Sequence, residues 1–223
     1  MLLRSAHSLI CLGLICLLVS PANAADDPHA VKVILEVGTS ADLKPWGEKV
    51  QKLVEEWHPK IAKLLASEGN KPPREIKLVF KTDMKNPGAT AGSTIYISTD
   101  WVTKHPEDFG MVIHELTHAI QAYPKYDHGW LVEGIADYIR FFHFEPDARL
   151  GPINPDKAKY TDSYRTTAAF LNYCQKQNPE LVSKLNAALR KNEYKVEMFK
   201  ELTGKTADEL WAEFAETLRK KKE

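Results

Sequence analysis

The stretch Met111–Tyr123, MVIHELTHAIQAY, constrains this chain more than any other. Within it, His114, Glu115, Leu116, Thr117 and His118 form an H-E-x-x-H pattern. Two histidines four residues apart stack one turn above the other on a helix, so both imidazoles can reach one ion. Glu115 points to the same side. It is placed to hold a water at that ion and take its proton without binding the metal itself. Phe109, Val112, Ile113, Leu116, Ala119 and Ile120 recur at helical spacing and make an apolar face. Pro106 suits a first helical turn, Glu107 and Asp108 complement the positive end of the helix, and Pro124 closes it. Standing alone, the pattern also fits two surface histidines beside an apolar stripe.

A short loop further on, Trp130–Phe142 reads WLVEGIADYIRFF. It is apolar nearly all round a helix, which predicts burial. It nevertheless carries Glu133 and Asp137, four apart on one stripe. Two unpaired carboxylates in such a place cost several kcal/mol or protonate. A divalent cation with its histidine ligands removes that cost. Glu133 is then the third ligand, and Asp137, one turn on, accepts the free ring N–H of a ligating histidine. Gly134 lets the two helices approach closely. An acid pair on a solvated face is the competing reading, and the apolar neighbours argue against it.

HELTHAIQAYP followed by GWLVEGIADYIRFF resembles the basic secretory protein family of plants and bacteria, a group of zinc peptidases. The likeness extends over Trp46–Ala66, Ala89–Thr99, Tyr160–Tyr173 and Gly204–Phe214, so it covers nearly all of the chain beyond residue 24. The two central stretches are also similar to gluzincins, whose thermolysin-like members join H-E-x-x-H to a glutamate on a second helix. In those enzymes an aspartate four residues after that glutamate supports a zinc-bound histidine, and Glu133 and Asp137 match that arrangement. The resemblance implies one zinc per chain, held by His114, His118 and Glu133, and a protein or peptide substrate. His128 competes with Glu133 as third ligand. The metzincin pattern, however, puts its third histidine where Pro124 stands and its glycine where Gln121 stands, which favours Glu133. In gluzincins the strand before the active-site helix, here Thr94–Ser98, is an edge along the cleft to which an extended peptide adds. It reads equally as an ordinary sheet strand. Related aminopeptidases place a glutamate nearby to hold the substrate's amino terminus; Ser93–Ser98 has no acid, which leans toward an endopeptidase. One departure matters. The family is basic, whereas this chain balances 30 Lys+Arg against 30 Asp+Glu. Binding of nucleic acid or another acidic polymer through a basic surface is therefore not expected.

Residues 1–24 read as a secretory signal, with Arg4, an apolar run from Leu9 to Val19, and the small-x-small site Ala22-Asn23-Ala24. The run is short for a membrane span, so a secreted, periplasmic or extracellular protein free of the membrane is expected. Removal of the signal takes Cys11 and Cys16 with it and leaves 199 of 223 residues (223 minus 24). Cys174 alone remains, amid Phe170, Leu171 and Tyr173, and reads as a buried small hydrophobe. That length suits a single domain, residues 25–223.

Val31–Val37, Glu75–Lys81 and Thr94–Ser98 alternate as strands. A long helix is expected over about Trp46–Ser67, kinked at Pro59; His58 beside it reads as structural or exposed. The Pro- and Gly-containing stretch Glu145–Asp156 divides a part with the sheet and site helices, about 25–144, from a helical lobe, about 157–223. In the lobe, helices fit Thr161–Gln177, Pro179–Lys191, Val196–Leu202 and Thr206–Lys221, the last opened by a Thr206–Glu209 capping box. The expected fold is α+β and zincin-like: a small mixed or antiparallel sheet on the long helix, then the helical lobe, with the metal in the cleft between. A peptidase of this kind needs a hydrogen-bond donor for its oxyanion. Tyr164 is the first choice, with Arg165, Tyr160, His128 and His143 behind it, and a Tyr–Arg packing pair is an equally good reading. Two other functions use the same residues: a zinc hydrolase of non-protein amides or cell-wall peptides, and a secreted zinc-binding protein without turnover.

Overall fold

The computed structural model describes residues 31–162 and 164–220. The expected signal segment, Cys11 and Cys16 lie outside them. Four strands, β1 (Lys32–Glu36), β2 (Glu75–Lys81), β3 (Gly88–Ala91) and β4 (Thr94–Ser98), form one sheet in the order β1-β2-β4-β3. β1 and β4 run parallel to β2, and β3 is antiparallel to β4, so the sheet is mixed. The eight α-helices among the described residues are α1 (Lys44–Leu64), α2 (Thr99–Lys104), α3 (Gly110–Gln121), α4 (Gly129–Ile139), α5 (Tyr164–Gln175), α6 (Leu181–Lys191), α7 (Met198–Thr203) and α8 (Ala207–Lys220). This is the α+β class expected. No helix among the described residues is long and apolar enough to cross a membrane.

The alternation in the strands has a simple cause. Ile76, Leu78 and Phe80 lie in register with their neighbours, opposite Val33, Leu35, Ile95 and Ile97, and fill one buried face. The other face is half exposed, and there Lys81 lies over the Tyr96 ring at 4.3 Å. α1 crosses from β1 to β2 and packs close to the sheet; a Cβ at Gly47 would stand 2.8 Å from a Leu35 methyl. The helix runs unbroken through Pro59. The carbonyl that loses its donor there belongs to Glu55, an exposed residue, where water can serve it. His58 is buried and bonded to the Pro73 carbonyl at 2.8 Å, so it is structural.

Two expectations on the sheet and the site helix are corrected. β4 is not an edge: it lies between β2 and β3, and β3 is the outer strand on that side. Pro106 does not open the site helix. It lies in a turn after α2, with its carbonyl bonded to Trp46 Nε1 at 2.8 Å, and α3 begins at Gly110. Asp108 starts α3 instead, accepting from the Met111 N–H at 3.1 Å, and Arg140 Nη2 anchors it at 2.6 Å. α3 ends at Ala122, whose left-handed backbone (φ 45°) breaks the helix before Pro124.

α4 continues into a π-helical turn, Arg140–Phe144. Gly134 makes a close approach, but to α5 rather than α3: a Cβ there would collide with the Thr167 side chain. Residues 145–162 contain turns and bends without helix or strand. Beyond them Phe170, Phe199 and Trp211 stack with Tyr160 and Phe214 into an aromatic cluster. Its apolar residues join those of the sheet in one continuous core. Thr206 and Glu209 cap α8 reciprocally, at 2.7 and 3.2 Å. Cys174 is fully buried, and burial pushes its thiol up, away from reactivity. Arg190 of α6 reaches under the sheet-side helices. It donates to the carbonyls of Leu65, Ile120 and Gln121 and to Ser67 Oγ.

Candidate metal centre

α3 and α4 pack against each other and face their polar stripes into one cleft. His114 Nε2 lies 3.0 Å from His118 Nε2 and 3.0 Å from Glu133 Oε2, and His118 Nε2 lies 3.2 Å from the same oxygen. His114, His118 and Glu133 form the cluster among the described residues whose ligand atoms converge as a metal ion requires.

The other ring nitrogens explain how this triangle is held. His114 Nδ1 donates to Asp137 Oδ1 at 2.7 Å. His118 Nδ1 donates to Gln121 Oε1 at 2.8 Å, while the Gln121 amide donates to the Val132 carbonyl at 3.0 Å and so cannot flip. With both Nδ1 atoms protonated, both Nε2 atoms present lone pairs to the centre. Three electron-rich atoms at this spacing repel one another unless a cation lies between them. Tetrahedral ligands about 2 Å from a metal stand roughly 3.3 Å apart, so the donor set fits a divalent ion.

The same crowding shifts the titrations. Burial alone would push the His114 imidazole down, but its hydrogen bonds with Asp137 and Glu133 outweigh this and hold it up at about 9. Burial would push the Glu133 carboxyl up, but His114 and His118 outweigh this and hold it down at about 2. Without a metal, a proton on His114 takes the cation's place.

Glu115 is 8 % exposed and stands beside the triangle on the cleft side. Thr90 of β3 reaches it: Oγ1 lies 2.7 Å from Glu115 Oε2 and 2.9 Å from its carbonyl oxygen. Gly88, two residues back on the same strand face, leaves room for the Glu115 side chain, since a Cβ there would stand 2.8 Å from Glu115 Cγ. Tyr164 opens α5 on the opposite wall, its ring 5.8 Å from that of His114. The negative charge of Glu133, then burial, raises its phenol pKa, so it carries its proton at neutral pH.

Three of the residues considered from sequence fall elsewhere, Tyr160 among them: it stacks on Phe170 at 5.2 Å, outside the cleft. His128 precedes α4 and stacks on Tyr194 at 4.7 Å, outside the cleft. His143 packs on Tyr138 at 5.0 Å, also outside it. Three residues at the site escaped the sequence reading. Gln121 carries a readable signal, being one turn after His118 on the same helix; Thr90 and Gly88 carry none, because β3 is only GATA. The cleft encloses about 1250 Å³, with β3 along one side.

The α+β chain thus joins an H-E-x-x-H helix to a glutamate on a second helix, with a further carboxylate, Asp137, beside the triangle. Residues 43–214 match the family described as BSP, peptidase of plants and bacteria, and the chain is a member of that peptidase family. No curated protein matches the chain.

Proposed function

We propose that the protein is a secreted zinc-dependent endopeptidase. The observation that carries the reading is the His114–His118–Glu133 triangle with the Glu115 carboxylate beside it in one open cleft. Two imidazoles and a carboxylate are a donor set that zinc favours. When bound there, the ion polarises the scissile carbonyl and lowers the pKa of the attacking water.

The chain's own residues do the rest. Thr90 takes up Glu115 Oε2, so Oε1 accepts the proton of the attacking water and later delivers it to the leaving amine. Asp137 and Gln121 fix the two imidazoles by their Nδ1 atoms. The Tyr164 hydroxyl donates to the oxyanion from the opposite wall. β3 offers its outer edge to the substrate backbone, the role that fitted β4 in sequence. Endopeptidase action is supported by the acids of the cleft. Among its lining residues these are Glu115, Glu133 and Asp137, each engaged with Thr90 or a histidine, which leaves none for a substrate's amino terminus. Secretion rests on the leader pattern of residues 1–24.

Glu115→Gln tests the reading, because it keeps shape and hydrogen bonding but removes the base. Zinc should stay near one per chain while peptide hydrolysis falls at least ~10²-fold. Near-normal hydrolysis by the purified variant would refute the role of Glu115; a metal-loaded wild type that cleaves no peptide would refute the function.

A further inference from the structure

The chain is neutral overall, yet the charges left uncommitted in its cleft share one sign. Glu115, Glu133 and Asp137 are taken up by Thr90 and the two histidines. Arg140, which also lines the cleft, is held by Asp108 and Glu145. That leaves Arg165, Lys71 and Lys125, none of which forms an ion pair among the described residues. A ligand entering the cleft therefore meets free cations only.

Arg165 differs from the two lysines in its placement. It directly follows Tyr164, whose ring stands 5.8 Å from that of His114, and it lines the same cleft as the triangle. Its guanidinium rests over the Phe141 ring at 5.3 Å. Stacking of this kind orients the planar fork while leaving its N–H groups free to donate. A guanidinium so presented matches a carboxylate with two parallel hydrogen bonds. Family membership and the H-E-x-x-H centre account for the chemistry and leave this group unused.

We propose that Arg165 selects substrates by binding a carboxylate next to the scissile bond. The inference rests on the peptidase reading and supplies its substrate class: peptides with an acidic side chain near the cut, or with a free C-terminal carboxylate there. Lys71 and Lys125 at the cleft rim add long-range attraction for such substrates without fixing their register.

The experiment uses matched peptides that differ only by Glu or Gln at each position flanking the cut, each with a free or amidated C terminus. Binding is read by fluorescence anisotropy on zinc-loaded Glu115→Gln protein, and kcat/KM on the zinc-loaded wild type. At one position the acidic peptide should be favoured about 10-fold or more, the size of a charge-assisted hydrogen bond. The ratio should fall to about one in Arg165→Met and invert in Arg165→Glu, in both backgrounds. Because each ratio is taken within one variant, a general loss of fold or activity does not imitate the result. A preference that follows the free terminus rather than the side chain identifies the terminal carboxylate as the ligand and makes the enzyme a carboxypeptidase in place of an endopeptidase. No preference for any carboxylate, or a preference that survives Arg165→Met, overturns the proposal. A binding ratio that obeys it while the wild type cleaves nothing overturns the peptidase reading alone.

Discussion

Asp137→Asn separates two effects that act on His114 together. The Asp137 carboxylate lies 2.7 Å from His114 Nδ1, and both side chains are almost fully buried. Removing its charge while keeping an acceptor should weaken zinc binding 10- to 100-fold, about 1.4–2.7 kcal/mol. The proton, however, competes for the same imidazole. In the metal-free protein the hydrogen bonds with Asp137 and Glu133 hold the His114 imidazole up at about 9, so at pH 7 zinc must displace a proton across ~2 pH units, roughly 3 kcal/mol. Asp137 is one of the groups that hold this proton. Its loss therefore weakens the proton's grip along with the metal's. The full deficit should appear at pH 9 and above, and it should narrow toward pH 7. Competition against a chromophoric chelator at pH 9 and pH 7 measures the deficit. Calorimetry in buffers of different ionisation enthalpy counts the protons released, near one for the wild type at pH 7 and fewer for the variant. Unchanged affinity at pH 9 would make Asp137 a structural acid only. A deficit that stays constant from pH 9 to pH 7 would refute the proton-competition argument.

Glu133→Ala should strip zinc and activity together, whereas His128→Ala should keep zinc and lose only the ring contact with Tyr194; metal analysis of the two purified variants decides, and zinc lost from His128→Ala alone would reverse the assignment. Stability of the metal-free protein should depend on pH with a definite sign. His114 is raised from 6.5 to about 9, so its contribution is complete below pH 6.5 and is lost as pH rises through 9, about 3 kcal/mol for this buried group. Glu133 is lowered from 4.5 to about 2, so its contribution is present above pH 4.5 and is lost as pH falls through 2. Urea unfolding of chelator-treated protein at pH 6 and pH 9.5 should show the alkaline loss, and the zinc-loaded protein should not; equal stability at both pH values without metal would contradict the His114 shift.

Much of the site was legible because its chemistry is local. Histidines at i and i+4, and carboxylates at i and i+4 on an apolar helix, declare a shared face before any fold is known. The strands β2 and β4 were equally plain, since Ile76, Leu78 and Phe80 in one and Ile95 and Ile97 in the other make a buried apolar row at every second position. What stayed hidden depends on partners distant in sequence. β3 has no apolar alternation, and only pairing with β4 makes it a strand. Without it the cleft edge fell to β4, and the Thr90 contact with Glu115, 25 residues away, could not be seen. The start of α3 was misplaced because Glu107 and Asp108 look alike as helix-start acids. Asp108 was chosen by Arg140 and Trp101, which come from other turns of the chain. Gly134 was correctly marked for a close approach, but nothing in the sequence says which helix it meets.

Arg190 gives the C-terminal helices a bearing on how such proteins can change over time. Its guanidinium closes the ends of α1 and α3 from 69 or more residues downstream in the chain, through neutral oxygens alone. The last turn of α3 contains His118 and Gln121, so the register of that helix end is set by a residue of α6. The two halves are thus not interchangeable modules. A C-terminal part borrowed from a distant relative would have to bring its own arginine to the same spot, and residues 145–162 add ties of their own, from Glu145 to Arg140, from Asp156 to Arg219 and from Tyr160 to the Phe170 ring.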